Sequence, residues 1–208
     1  MKCRWLAFCL IVVGAFCATP QAGEIPLDQR RSSYEDMSRE TKAMQDDDTS
    51  NPAMLSVLDG EALWNAKAGT SGKSCADCHG NATTSMRGVA ARYPAIDEPS
   101  GRPVNLEQRI NQSRERDQGA PGFRYESKEL LALTAYVSLQ SRGDPISSFE
   151  DKRLATFIEQ GRDLFHQRQG QINLSCAQCH DDNWGKHLAG NVIPQAHPTG
   201  YPIYRLEW

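Results

Sequence analysis

The sequence contains two copies of a short cysteine and histidine motif, and these two motifs are the strongest constraint on the fold and the cofactor of the chain. They are Cys75-Ala-Asp-Cys78-His79 and Cys176-Ala-Gln-Cys179-His180. Each thiol of a Cys-x-x-Cys-His motif can add to a vinyl group of haem, while the adjacent histidine binds the iron from the same side. The motifs therefore predict two covalently bound haem c groups. Their expected attachment sites are Cys75, Cys78, Cys176 and Cys179, and the expected proximal iron ligands are His79 and His180.

Paired cysteines have two other interpretations, namely disulfide bridges in an exported protein and a four-thiolate zinc site. Neither interpretation requires the histidine that follows each pair. The two pairs of a zinc ribbon usually lie about 15 to 20 residues apart, whereas nearly half of the chain separates Cys78 from Cys176. Haem attachment accounts for both cysteines and for the histidine of each motif.

The two motifs belong to a longer internal repeat with an offset of 101 residues. The repeat needs no gap, and it pairs Gly60 with Gly161, Leu63 with Leu164, Trp64 with Phe165, Gly69 with Gly170 and Ser74 with Ser175. Internal repetition of this kind indicates two domains of one type in tandem. We expect a short helix before each motif, with an aliphatic and an aromatic residue near its end.

The predicted fold is all-α, with two tandem cytochrome c-type domains. Residues 1–23 combine a cationic start with an apolar run too short to span a bilayer, which is typical of a secretory signal peptide. A polar arm at 24–56 is expected to be extended or partly helical, and the first domain is assigned to 57–143 and the second to 149–208. We expect a periplasmic protein that does not insert into the membrane.

A closing helix is predicted for the first domain. Ser127 is a suitable N-cap, and Leu130, Leu133 and Val137 form an apolar stripe at helical spacing, with Gly143 just past the end. The stretch 144–148 is expected to be a linker, and the stretch 149–166 the helical opening of the second domain.

The second domain has no counterpart of this closing helix, since only 28 residues follow His180. Either the second domain is built differently or the sequence is a fragment cut at Trp208. We expect the fragment.

The ligand on the other side of each iron is not obvious from the sequence. The methionines are Met1, Met37, Met44, Met54 and Met86. In a His/Met electron carrier the methionine comes from the second half of the domain, and Met86 lies only seven residues after His79, too close to cross the haem plane. His166, His187 and His197 are the candidate second ligands. This pattern indicates unusual ligation and argues against a plain electron shuttle.

Longer stretches of the sequence resemble the SoxA family, the dihaem cytochrome c subunits of the periplasmic SoxAX complex. The stretches are RSSY at 31–34, AMQDD at 43–47, GQINLSCAQCHDDNWG at 170–185 and QAHPTGYPIYRLEW at 195–208. The last two are much longer than haem attachment requires, and the resemblance extends from about Arg31 to Trp208.

The resemblance implies an enzyme subunit, an L-cysteine S-thiosulfotransferase. In the family, SoxAX joins thiosulfate oxidatively to a cysteine of the carrier SoxYZ, and the electrons leave through haem to the small cytochrome SoxX, with which SoxA forms a heterodimer. The second haem is the catalytic one, and its distal ligand is a cysteine in a segment beyond the equivalent of Trp208. The resemblance therefore implies that no catalytic residue is present in this sequence.

The resemblance also implies a departure at the first haem. Family members place a cysteine as its distal ligand where this sequence has Ser113, in the segment 109–114. A neutral hydroxyl is a hard ligand and should bind haem iron poorly, so we expect a five-coordinate first haem or another ligand.

Two other functions are compatible with the motifs: a dihaem electron-transfer cytochrome without a substrate, and a dihaem cytochrome c peroxidase-like enzyme. The net charge of −3 and the lack of a basic stripe give no indication of nucleic-acid binding.

Overall fold

The computed structural model describes residues 25–147 and 150–196. Three parts of the chain lie outside the described residues: the predicted signal peptide at 1–23, residues 148 and 149, where the expected linker ends and the expected opening helix begins, and the stretch 197–208 with His197.

Helices make up most of the regular structure, as expected. The α-helices are α1 (Arg39–Asp46), α2 (Ala53–Asn65), α3 (Cys75–His79), α4 (Ala82–Ser85), α5 (Leu106–Ser113), α6 (Lys128–Leu139), α7 (Ala155–His166) and α8 (Cys176–His180). A π-helical turn, Arg114–Gln118, continues α5, and 3₁₀ turns lie at Leu27–Gln29, Ser33–Asp36, Ala90–Arg92 and Lys152–Leu154. No helix in the described ranges is both long and apolar enough to cross a membrane.

Two short antiparallel hairpins were not predicted. The first joins β1 (Ala95–Asp97) to β2 (Arg102–Val104), with Ala95 opposite Val104, and the second joins β3 (His187–Leu188) to β4 (Asn191–Val192). The helix-rich fold is confirmed, while the tandem arrangement and the incomplete second domain stay predictions.

The packing of α2 against α6 forms the centre of the first unit. The closing helix is confirmed: the Ser127 hydroxyl accepts a hydrogen bond from the Leu130 amide at 3.3 Å, and Leu130 and Leu133 are almost fully buried. A Cβ atom on Gly60 of α2 would lie 2.7 Å from the Tyr136 Cβ and closer still to the Ala132 carbonyl oxygen of α6. Only glycine at this position allows the two helices to approach so closely.

The equivalent helix of the second unit, α7, lies in a different environment. It has no buried residue, and a Cβ atom on Gly161 would meet nothing within 4 Å. Leu164, the counterpart of Leu63, is 56% exposed. Among the described residues, therefore, no helix packs on α7 as α6 packs on α2.

The arm before the first unit is partly helical, as predicted, and it contacts the turn that follows α6. The two terminal guanidinium nitrogens of Arg142 donate to the Asp48 carboxylate, at 2.9 and 3.0 Å. Because α2 begins at Ala53, its first turn lies in the stretch that the sequence assigned to the arm.

The opening helix of the second unit begins later than predicted, at Ala155. The Asp151 carboxylate accepts a hydrogen bond from the Arg153 amide and caps a 3₁₀ turn first. Arg153 also binds Glu98 at 2.8 Å, which joins this turn to the first hairpin.

Candidate haem sites

A capping box shapes the first motif helix, α3. The Ser74 hydroxyl accepts from the Asp77 amide at 3.0 Å, and the Asp77 carboxylate accepts from the Ser74 amide at 2.8 Å. The hydrogen bond that the Ser74 amide donates to the carboxylate holds the pKa of the Asp77 carboxyl below its usual value. In the single helical turn that results, residues three and four positions apart share one face, so Cys75, Cys78 and His79 are neighbours.

The second motif helix, α8, has the same local structure. Ser175 and Gln178 form an equivalent capping box, with hydrogen bonds of 2.9 and 3.4 Å. The turn before each motif is closed by one isolated β-bridge, Ala68 with Lys73 in the first unit and Gln169 with Leu174 in the second. Because these bridges are also related by the offset of 101 residues, the sequence repeat corresponds to a repeat in local structure.

The first motif lines a cavity of about 750 Å³ between α2, α3, α5 and α6. This volume falls in the range of about 300 to 1,000 Å³ that is usual for cofactor and ligand sites. Its walls are largely apolar and include Trp64, Ile110 and Leu133, with Met86 and Ser113 beside them. A large flat apolar cofactor joined to Cys75 and Cys78 fits a cavity of this size and composition.

Gln118, at the end of the π-helical turn, forms part of the wall beside the first cysteine. It is 6% exposed, and its Nε2 donates to the Lys73 carbonyl oxygen at 3.0 Å and lies 4.0 Å from the Cys75 sulfur. Its Oε1 is buried without a hydrogen-bond partner, which is uncommon in folded proteins. An unpartnered buried oxygen in the cavity wall is consistent with a site that a bound group completes.

Positive charge enters the same cavity from Arg114 and Arg109. The Arg114 guanidinium lies 3.6 Å from the centroid of the Phe123 ring, and burial lowers the pKa of this group. Burial also raises the pKa of the Cys75 thiol, although the nearby Arg114 charge opposes that shift. Arginines suit the carboxylates of a haem because they form charge-assisted hydrogen bonds with them.

The imidazole of His180 in the second motif is oriented by a backbone carbonyl. Its Nδ1 lies 2.8 Å from the Pro194 carbonyl oxygen. Since a carbonyl oxygen can only accept, Nδ1 carries the proton and Nε2 is left with its lone pair for a metal. This hydrogen bond holds the His180 imidazole in one orientation.

His79 of the first motif is placed differently. Its ring lies against Trp64, with the ring centroids 5.8 Å apart. The Trp64 indole nitrogen donates to the Gly80 carbonyl oxygen at 3.1 Å, next to the motif. Within the described part of the chain, the ring of His79 therefore contacts an aromatic side chain, whereas the ring of His180 contacts a backbone carbonyl.

The structure separates the two cysteine pairs and leaves all four thiols free. The described residues contain no group of three or more histidine, cysteine or acidic side chains that could hold a metal ion, so the pairs do not form one zinc site. His166 and His187, the candidate second ligands that lie in the described range, are both exposed. Met86 and Ser113 line the same cavity as the first motif, whereas Pro194 contacts the histidine of the second motif.

Sequence reasoning did not identify Gln118, Arg114 or Pro194. Gln118 and Arg114 lie in a π-helical turn that ends at Gly119, which has a left-handed backbone, and hydrophobic periodicity does not reveal such turns. Pro194 lies 14 residues after His180, where no motif pointed to it.

A Cys-x-x-Cys-His helix in the wall of a cofactor-sized cavity closed by two packed helices defines a cytochrome c domain. Residues 59–146 match the family model described as SoxA/TsdA, cytochrome c domain. Two relatives named L-cysteine S-thiosulfotransferase subunit SoxA are similar over most of the chain. The protein from Pseudaminobacter salicylatoxidans is 38% identical over 88% of this chain, and that from Rhodovulum sulfidophilum is 36% identical over 86%.

A crystal structure of SoxXA from P. pantotrophus matches with a TM-score of 0.75 and 33% identity over 79% of this chain and 62% of that chain. The chain belongs to the SoxA family, whose cytochrome c domain implies haem c as a cofactor. It spans 64% and 63% of the length of the two SoxA relatives.

Proposed function

We propose that this chain is the SoxA component of a periplasmic L-cysteine S-thiosulfotransferase and carries two covalently bound haem c groups. The observation that carries the proposal is the extent of the similarity to SoxA. The similarity covers 183 residues, 88% of the chain, so it extends far beyond the domain at 59–146 and takes in both motifs.

The first haem would be held by Cys75 and Cys78 and the second by Cys176 and Cys179, with His79 and His180 as iron ligands. Each bound haem would supply a one-electron carrier. Around the first motif, Trp64 packs on the His79 ring, and Arg114 provides positive charge for carboxylates. Around the second, the hydrogen bond to Pro194 keeps the proton on Nδ1 of His180 and leaves Nε2 for the iron.

The reaction joins the outer sulfur of thiosulfate to the sulfur of a carrier cysteine. One sulfur–sulfur bond forms, the thiol loses its proton, and two electrons leave. A redox cofactor is therefore required, and a haem cytochrome meets that requirement. The proposed carrier is SoxYZ and the proposed electron acceptor is SoxX, in agreement with the similarity to a chain of the SoxXA complex. A periplasmic location is supported by the predicted signal peptide at 1–23.

The test uses protein expressed from the complete reading frame, mixed with SoxX, SoxYZ and thiosulfate. We expect reduction of haem, seen in the visible spectrum, only when thiosulfate and carrier are both present, together with a gain of one thiosulfate group on the carrier cysteine by mass spectrometry. A C176A/C179A variant should abolish both signals.

The matched control is C75A/C78A, which removes the other pair of attachment sites. It should retain transfer to the carrier if the second haem is the catalytic one. Haem reduction by general donors, without any dependence on thiosulfate or carrier, would instead identify an electron-transfer cytochrome.

A further inference from the structure

The side chain of Gln195 joins the second motif unit to the N-terminal arm. It is 7% exposed. Its Oε1 accepts from the Arg31 amide at 2.8 Å, and its Nε2 donates to the Gln29 carbonyl oxygen at 2.9 Å. One amide group therefore bonds two backbone groups of the arm that lie more than 160 residues away in sequence.

A second contact joins the same two segments. The Arg31 guanidinium lies 5.1 Å from the ring centroid of Trp184, and it is held by the Asp36 carboxylate at 2.8 Å. Trp184 and Gln195 stand at the two ends of one loop. The loop is closed by backbone bonds from Gly185 to Ile193 at 2.9 Å and from Ile193 to Lys186 at 2.8 Å. The arm thus contacts both ends of a closed loop.

This loop carries the group that orients the second motif histidine. The carbonyl that accepts from His180 Nδ1 belongs to the peptide bond between Pro194 and Gln195. The two backbone bonds of the loop end at Ile193, so the side chain of Gln195 is the next group along the chain that is bonded to another segment. The bonds from Gln195 to the arm therefore restrict the rotation of the peptide group that fixes the imidazole.

We propose that Gln195 is a positioning residue for the second haem: through its two bonds to the arm, it holds the Pro194 carbonyl on the Nδ1 proton of His180. The inference rests on the proposed haem attachment at Cys176 and Cys179. A hydrogen bond to the second nitrogen of a ligating histidine makes the ligand more basic, which favours the oxidised iron. The arm thereby lowers the reduction potential of a haem attached to a distant part of the chain.

The test compares Q195M with a matched control, Q140M, in the full-length protein with haem attached. Gln140 is half-buried, and its Nε2 donates to the Tyr136 carbonyl oxygen at 2.8 Å in the first unit, so both variants lose an amide hydrogen bond. Two measurements are made: solvent exchange of the His180 Nδ1 proton by NMR on the reduced protein, and the reduction potential of each haem.

In Q195M we expect the His180 proton to exchange roughly tenfold faster, because the variant loses two hydrogen bonds that oppose opening of the loop. The potential of the second haem should rise, and that of the first should not change. Q140M should alter neither the exchange nor the second potential. Unchanged exchange and potential in Q195M, with both haems attached, would overturn the inference.

The conservative variant Q195E gives a second comparison. It keeps an acceptor for the Arg31 amide and loses the donor to Gln29, so it should fall between wild type and Q195M. If Q195M fails to attach the second haem, the comparison of wild type with Q195E decides the inference. A wild-type protein without haem at Cys176 and Cys179 would instead refute the proposed attachment, which keeps the two failures distinguishable.

Discussion

The two glycines Gly60 and Gly161 occupy equivalent positions of the repeat, and alanine at each should have opposite effects. On Gly60, the new methyl group would lie 2.7 Å from the Ala132 carbonyl carbon and from the Tyr136 Cβ, and closer to the Ala132 oxygen. On Gly161, it would meet nothing within 4 Å. The same substitution in the same kind of helix thus tests the packing of α2 on α6.

The magnitude follows from two opposing effects. Replacing a helical glycine with alanine stabilises by about 1 kcal/mol through helix propensity. Overpacking usually costs about 1 to 3 kcal/mol and occasionally more. The atoms around Gly60 are backbone and Cβ atoms, which no side-chain rotation can move, so the cost belongs at the upper end or beyond. We expect G60A to lose about 2 kcal/mol net and G161A to gain up to about 1 kcal/mol.

Thermal unfolding followed by far-UV circular dichroism measures both effects. For a domain of about 60 to 100 residues, 1 kcal/mol shifts Tm by roughly 4 to 8 °C. The Tm of the first unit should therefore fall by about 10 °C in G60A, and hydrogen exchange in α6 should accelerate. G161A should not lower Tm. If G60A is as stable as wild type, or if both variants change stability alike, the close approach of α2 to α6 is refuted.

Three further predictions concern the first motif. C75A/C78A should leave one haem per chain by intact-mass analysis and lower the Tm of the first unit, because the cavity loses the group that fills it; two retained haems would contradict the assignment. S113C should convert the first haem to a low-spin, thiolate-ligated form by electron paramagnetic resonance, whereas an unchanged spectrum would exclude Ser113 from the distal side. The Asp77 pKa is lowered by the hydrogen bonds from Ser74. The ionised Asp77 carboxylate therefore stabilises the folded protein above the pKa that this carboxyl has in the unfolded chain, and the stabilisation is lost as the pH falls through the lower pKa of the folded state. D77Q, which copies Gln178 of the second unit, should lose less stability than wild type in denaturant titrations below about pH 5, and parallel pH dependences would refute this role of Asp77.

Features controlled by neighbouring residues could be predicted from the sequence. The Ser127 cap and the stripe of Leu130 and Leu133 predicted α6, because capping and hydrophobic periodicity are local. The helix α5 was missed because it is short and polar and follows a stretch rich in glycine and proline. Its Asn105 and Gln108 capping box was nevertheless present in the sequence.

Features controlled by tertiary contacts could not be predicted. Gly60 and Gly161 match in the repeat, yet one contacts a neighbouring helix and the other faces open space. The hydrogen bonds of Gln195 join segments more than 160 residues apart, and no local pattern specifies such a pair. The motif histidines were identified from spacing alone, but the Pro194 carbonyl that orients His180 required the fold.

The close packing of α2 on α6 also bears on how fast the first unit can fold. About 60 residues, including the first motif, lie between the end of α2 and the start of α6. Closing a flexible loop of that length costs about 4 kcal/mol of chain entropy before any contact compensates for it. Contacts between residues so far apart slow folding, whereas the capping boxes form between residues three positions apart. The meeting of α2 and α6 is therefore expected to be the slow step, after the motif turn has begun to form.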